Sequence, residues 1–254
     1  MRNVALRLMY DGSRYHGWQL QKKDASVCAA LQEAIFKATG EHAHITGCGR
    51  TDAGVHALRY CANFRTQCRI PIDKMHLALN SRLPEDISVV DAVEAPEDFN
   101  AIASCIKKEY VYKIYNSNIR DPFLEKRVCF FPQELDAEIM NAAGRAMEGT
   151  HDFAAVRSLG TETKTTVRTV YHCRAVREGN LITISACADG FLYNMVRAMV
   201  GTMVYASLGK LTPEEIPALL EKGDRRLTGP TMPPQGLYLN RVWYEGAVGE
   251  MMEK

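Results

Sequence analysis

Apolar positions recur along this chain with two different periods, and the alternation between those periods sketches the fold. Val4 to Tyr10 alternates and predicts a strand. Ser26 stands before Val27, Leu31, Ala34 and Ile35, an apolar face at helical spacing that ends at Gly40, so a capped helix is expected there. A strand around His44–Thr46 comes next. Ala57 to Thr66 then alternates again, with Leu58, Tyr60, Ala62 and Phe64 expected on one side. A helix over Ile72–Ser81, stopped ahead of Pro84, and a strand over Ile87–Val93 complete this half. The order strand, helix, strand, strand, helix, strand is that of a ferredoxin-like unit.

The second half carries the same pattern. In the strand Lys107–Tyr115, Tyr110, Tyr112 and Ile114 face one way and Val111, Lys113 and Tyr115 the other. Asp136 caps a helix expected to run to Met147, with Gly149 beyond it. A polar stretch from Arg157 to Lys164 reads as exposed. Thr165–Arg177 and Leu181–Ala188 form a predicted hairpin turned at Glu178-Gly179-Asn180. The apolar run from Asp189 fits a buried helix reaching Leu208, and Thr212-Pro213-Glu214-Glu215 is a capping box that opens another. A last strand runs to Tyr244. The expected division is 1–100 and 101–246, with a frayed tail over 247–254. The fold class is α+β: two ferredoxin-like halves joined in one extended mixed or antiparallel sheet, helices on one side, an active-site cleft at the centre.

Composition adds bounds. A chain of 254 residues with 46% hydrophobic and 24% charged residues has ample material for a core. A formal net charge of +1 gives no general attraction for nucleic acid, so any basic surface must come from uneven placement. Eight cysteines, none at C-x-x-C spacing, read as reduced core thiols rather than a zinc site. His42 and His44 share a strand face without an evident third ligand and read as solvated. Neither a signal-peptide core nor an apolar run of ~20 residues is present, which points to the cytoplasm and away from membranes.

The candidate chemistry centres on Gly47-Cys48-Gly49-Arg50-Thr51-Asp52-Ala53-Gly54-Val55-His56-Ala57. Three glycines in this run let the backbone reach positive φ and let a bulky ligand approach. One carboxylate and one guanidinium lie two residues apart on that loop. Taken alone, such a loop reads first as a tight turn with solvated charges. The unbroken run Gly49–Ala57, however, resembles the signature of the tRNA pseudouridine synthases that act on positions 38, 39 and 40 of the anticodon stem-loop. Phe191-Leu192-Tyr193-Asn194-Met195-Val196-Arg197 through Gly201 resembles a second motif of that family, and the resemblance extends from Tyr10 to Leu239.

The resemblance implies the pseudouridine synthase fold, a tRNA anticodon arm as partner and a homodimer. It makes Asp52 the catalytic carboxylate and Arg197 its paired cation, which would keep the acid ionised. An arginine in so apolar a stretch would be costly unpaired. Tyr110 matches the tyrosine that packs on the target uracil, and Arg50 would lie beside the target nucleotide. Phe99, Asn100, Ala101, Ile102 and Ala103 match a tRNA-binding segment in which the family usually carries an arginine at the position of Ile102. Lys107, Lys108, Arg157, Lys164 and Arg168 are candidates for phosphate contacts. The reaction is redox-neutral and transfers nothing in or out, so neither cofactor nor metal is expected. Asp52 either attacks the ribose C1′ or deprotonates the sugar, and the residues leave both routes open. Two other functions are compatible with the fold. One is an RNA-binding module without catalysis; the other is a regulatory protein holding a metabolite on the glycine-rich loop. Nothing in Asp52, Tyr110 or Arg197 suggests a dead site, which speaks against the first, and two chemically matched motifs far apart in sequence speak against the second.

Overall fold

The first strand, β1, spans Arg2–Tyr10, and α1 spans Val27–Thr39. The Ser26 hydroxyl accepts a bond from the Ala29 amide at 3.3 Å, and Gly40 closes the helix at φ 76°, as its cap residues dictate. β2 (Ile45–Gly47), β3 (His56–Thr66), α2 (Ile72–Asn80) and β4 (Ile87–Ala95) follow. The chain continues through β5 (Lys107–Asn116), β6 (Cys129–Phe131), α3 (Ala137–Arg145), β7 (Gly149–Asp152), β8 (Val167–Glu178) and β9 (Leu181–Ala188). It ends with α4 (Met195–Ser207), α5 (Ile216–Lys222), β10 (Leu237–Trp243) and α6 (Gly246–Glu253). The computed structural model describes residues 1–21, 24–158 and 163–254. The centre of the polar stretch expected to be exposed, 159–162, lies outside the described residues.

Two compact units form. One joins Met1–Lys107 to Tyr238–Lys254, and the other is Lys108–Leu237. The boundary therefore falls after Lys107 rather than after residue 100, and the last strand belongs to the first unit. The tail is also not frayed. Val248, Met251 and Met252 recur at helical spacing, all three are buried, and α6 packs on β4 and β1. Those apolar side chains repay the ordering of the tail's backbone.

In the first unit β1 pairs antiparallel with β3 and β4, and β2 pairs antiparallel with β3, giving the ferredoxin-like strand order β4-β1-β3-β2. β10 adds in parallel at Tyr238↔His56 and Leu239↔Ala57. The expected alternation in β3 fails at one end. β3 carries one extra residue between Ala57 and Tyr60, opposite Leu8–Tyr10, so Ala57 pairs with Tyr10, and Leu58 is 38% exposed while Tyr60, Ala62 and Phe64 are buried.

In the second unit the antiparallel order is β5-β9-β8-β7, with β6 parallel to β5. β8 and β9 form the expected hairpin, turned at Gly179 with φ 58°. α3 packs on β8 and α4. Its first turn is held by Asp136, whose carboxylate accepts from the Glu138 and Ile139 amides. α4 begins at Met195 and not at Asp189, because Asn194 takes a left-handed conformation at φ 60° and so interrupts the run.

Candidate active site

The glycine-rich loop leaves the sheet in steps set by its sequence. β2 ends at Gly47, and the Cys48 amide still reaches the Cys61 carbonyl at 2.9 Å. The chain then peels away, with the Tyr60 hydroxyl donating to the Gly49 carbonyl. Asp52 opens a turn in which the Val55 amide donates back to the Asp52 carbonyl at 3.1 Å, and Gly54 supplies the positive φ of 77° that the turn needs.

A second segment, 12–18, grips that turn from both sides. The Trp18 amide donates to the Thr51 carbonyl at 3.2 Å, and the Gly54 amide to the Tyr15 carbonyl at 3.1 Å. The Thr51 and Tyr10 hydroxyls share a bond of 2.9 Å. Gly17, at φ 86°, is so close that a Cβ there would stand 2.1 Å from the Thr51 oxygen. Trp18 is buried and stacks on Tyr60 at 4.2 Å, so its ring is core and its backbone is loop support. These bonds employ backbone and neighbouring hydroxyls, which fixes the peptides flanking Asp52 while its half-buried side chain is presented by the turn. Arg50 is exposed.

His56 closes the loop and is almost fully buried. Its Nδ1 accepts from the Gly12 amide at 3.1 Å and lies 3.2 Å from Asp11, and its ring stacks on Tyr238 at 4.6 Å. The family signature contains His56, but nothing in the local sequence discloses this packing.

In the second unit β5 delivers Tyr110, half-buried, with the ring edge-on to Phe191 at 5.2 Å. Two residues on, Tyr112 is buried, and its hydroxyl donates to the Pro233 carbonyl at 2.6 Å. Burial raises the Tyr112 phenol well above its ordinary value, against the opposing pull of the Arg197 charge.

Arg197 is half-buried on α4 between the buried side chains of Met195, Val196, Met199 and Val200. The protein meets the cost of placing a guanidinium there with two acceptors. Nε donates to the Met232 carbonyl and Nη1 to the Asn194 side-chain oxygen, both at 2.6 Å. The Met232 amide returns a bond to the Arg197 carbonyl at 3.2 Å. This segment reaches Arg197 because Gly201 and Gly229 let two backbones touch.

The remaining sequence candidates divide by role. Ala101 is fully buried, its amide donating to Asn63 at 2.9 Å and its carbonyl accepting from Tyr244, so it anchors its loop rather than offering a surface. Asn100 accepts from the amides of Ile102 and Ala103, and those two residues are exposed. Phe99 lies edge-on to Tyr244 at 5.3 Å. The Lys107 ammonium sits 4.7 Å from the centre of the Trp243 ring. Lys164 is exposed; Lys108 and Arg157 are half-buried. Arg168 folds back onto the carbonyls of Thr165 and Val167.

His42 and His44 are exposed, and His42 stacks on Phe36 at 4.3 Å. Among the described residues no group of three His, Cys, Asp or Glu side chains is placed to hold a metal ion, and no helix is long and apolar enough to cross a membrane.

Comparison with known proteins places these features in a family. A family model described as tRNA pseudouridine synthase matches residues 8–102 and 143–245. A tRNA pseudouridine synthase A of Caldicellulosiruptor bescii is 46% identical over 244 residues, covering 96% of this chain and 100% of that protein. Proteins of the same name from Ruminiclostridium cellulolyticum and Caldicellulosiruptor saccharolyticus are 42% and 44% identical, each covering 96% of this chain and 100% of their own length.

Proposed function

The chain belongs to the tRNA pseudouridine synthases, an isomerase family, and on that premise we propose that it converts uridine to pseudouridine at positions 38, 39 and 40 of the tRNA anticodon arm, with Asp52 as the catalytic carboxylate. The observation that carries this reading is the grip of segment 12–18 on the Asp52 turn. Both flanking peptides are fixed before any substrate arrives, as a preorganised reacting group requires.

The reaction breaks the bond between C1′ and N1, turns the uracil, and joins C1′ to C5, after which the C5 proton leaves to solvent and N1 takes one up. Asp52 in its ionised form serves either as nucleophile at C1′ or as base at the sugar. Arg197 holds that carboxylate ionised and oriented. Tyr110 offers its ring face to the detached base, and Arg50, exposed two residues before Asp52, contacts the flipped nucleotide or its phosphate. Phe99, Asn100, Ile102, Ala103, Lys107, Arg157 and Lys164 contribute to the RNA surface. The working unit is a homodimer in the cytoplasm, with one tRNA bridging two subunits. Sedimentation that finds only monomer at micromolar protein would remove the dimer from this reading.

Mass spectrometry of tRNA from a strain lacking the protein tests the function itself. Loss of pseudouridine confined to the anticodon arm is expected. Unmodified positions elsewhere, or unchanged tRNA, would overturn the proposed substrate.

A further inference from the structure

The residue before α4 does not do what a helix N-cap ordinarily does. An asparagine at that place usually has extended backbone and accepts a bond from the second or third amide of the helix. Asn194 instead is left-handed at φ 60° and makes no side-chain capping bond. Its carboxamide is committed elsewhere. The oxygen accepts from Arg197 Nη1 at 2.6 Å, and the nitrogen donates to the Ser158 hydroxyl at 3.0 Å. Ser158 is in turn tied to the same turn, its amide donating to the Tyr193 carbonyl at 3.0 Å.

A carboxamide has one accepting end and one donating end. The guanidinium only donates, so the amide oxygen must face it, and the nitrogen is left to donate to Ser158. Turning the amide over would set its N–H groups against the N–H groups of Arg197 and lose that bond, while the Ser158 hydroxyl can serve either end. Together with the Met232 carbonyl on Nε, two of the three guanidinium nitrogens are oriented from fixed points.

We propose that Asn194 is a positioning residue for the isomerisation. It sets the plane and direction of Arg197, and Ser158 anchors the far end of the Asn194 amide. The inference rests on the reading above, in which Arg197 keeps Asp52 ionised. Tyr112, a titratable side chain facing Arg197, is a buried phenol that stays protonated across the neutral range and so leaves the pH profile to the acid.

Three variants test it beside Arg197→Met. Asn194→Gly accepts the left-handed backbone and removes the acceptor. Asn194→Asp keeps backbone and acceptor but adds a charge against the guanidinium. Ser158→Ala removes the far anchor of the amide. The measurements are thermal melting, kcat and KM in tritium release from tRNA, and the pH dependence of kcat. The expected result is an unchanged melting point, a kcat lowered about tenfold or more in Asn194→Gly with KM little altered, and an acid limb displaced to higher pH in Asn194→Asp. Ser158→Ala should move kcat the same way by less. If Arg197→Met is inactive while Asn194→Gly and Asn194→Asp keep wild-type kcat and pH profile, the inference is overturned and the reading of Arg197 stands. If Arg197→Met itself keeps full rate, the reading of Arg197 falls, and the inference with it. Should Asn194→Gly melt early, Asn194→Asp decides the matter, since it retains both the backbone and the hydrogen-bond acceptor.

Discussion

Gly12 lies against the carbonyl of Val55 so closely that a Cβ at position 12 would stand 1.9 Å from the oxygen and 2.6 Å from its carbon. Both partners are backbone, so neither can swing aside as a long side chain would. Gly12→Ala is expected to displace the Asp52 turn, to cost about 1–3 kcal/mol in urea unfolding, and to reduce turnover by more than that stability loss explains. Gly40→Ala is the control. Gly40 has φ 76° with open space around its Cβ position, so that variant should lose about 1–2 kcal/mol through backbone strain alone and keep its activity.

Asp52→Asn removes the charge from a side chain whose flanking peptides are held by other groups. The variant should fold with an unchanged melting point, still bind tRNA in a filter assay, and lose at least about a thousandfold in tritium release. Turnover near the wild-type rate would exclude Asp52 as the reacting carboxylate.

Gly201→Ala sets two effects against each other. Alanine within a helix is favoured over glycine by ~1 kcal/mol. At position 201 the new Cβ would meet the Pro230 carbonyl at 1.8 Å, and Gly229 packs back on the same backbone. The clash should win, with a net loss of about 2 kcal/mol. Because the 229–232 segment also delivers the Met232 carbonyl to Arg197, kcat should fall in the same variant. Calorimetry and steady-state rates measured together would check both.

The buried thiols predict how stability responds to base. Burial pushes Cys173 from an ordinary value near 9 up to about 12, and Cys28 up to about 11. Above pH 9 the unfolded chain releases these protons while the folded chain retains them. Their contribution is therefore complete below pH 9 and declines as pH climbs toward 11 and 12, by up to about 1.4 kcal/mol per pH unit for each thiol. Urea midpoints taken from pH 8 to 10.5 should be level and then fall. In Cys173→Ala the fall should be shallower, so the gap to wild type narrows with rising pH. A gap that stays constant would exclude a titrating Cys173.

Elements whose ends are written locally were legible in the sequence. Ser26, Gly40, Asp136 and Gly179 each act on residues within a turn of themselves, so α1, the start of α3 and the β8–β9 hairpin followed from them. Features decided at a distance did not follow. Leu58 points outward because β3 carries one extra residue at 58–59, a bulge visible only once its pairing with Leu8–Tyr10 of β1 is known. β6 is three residues long, too short to show a period. α4 starts late because of one left-handed residue within an unbroken apolar run. The helical spacing of Val248, Met251 and Met252 is local, and their burial against β4 and β1 outweighs the fraying expected near a chain end. The candidate site divides the same way. Its glycines and charges were visible as a motif, while the approach of Gly12 and Gly17 to that motif, and the hold of Asn194 on Arg197, depend on pairs that only folding brings together.

The strand that carries Tyr238 to His56 is translated only after the whole of Lys108–Leu237 has emerged. During synthesis, then, the sheet beneath the Asp52 loop stays one strand short for more than half the time the ribosome spends on the message. A nascent chain released early would lack the aromatic backing of His56 along with α6.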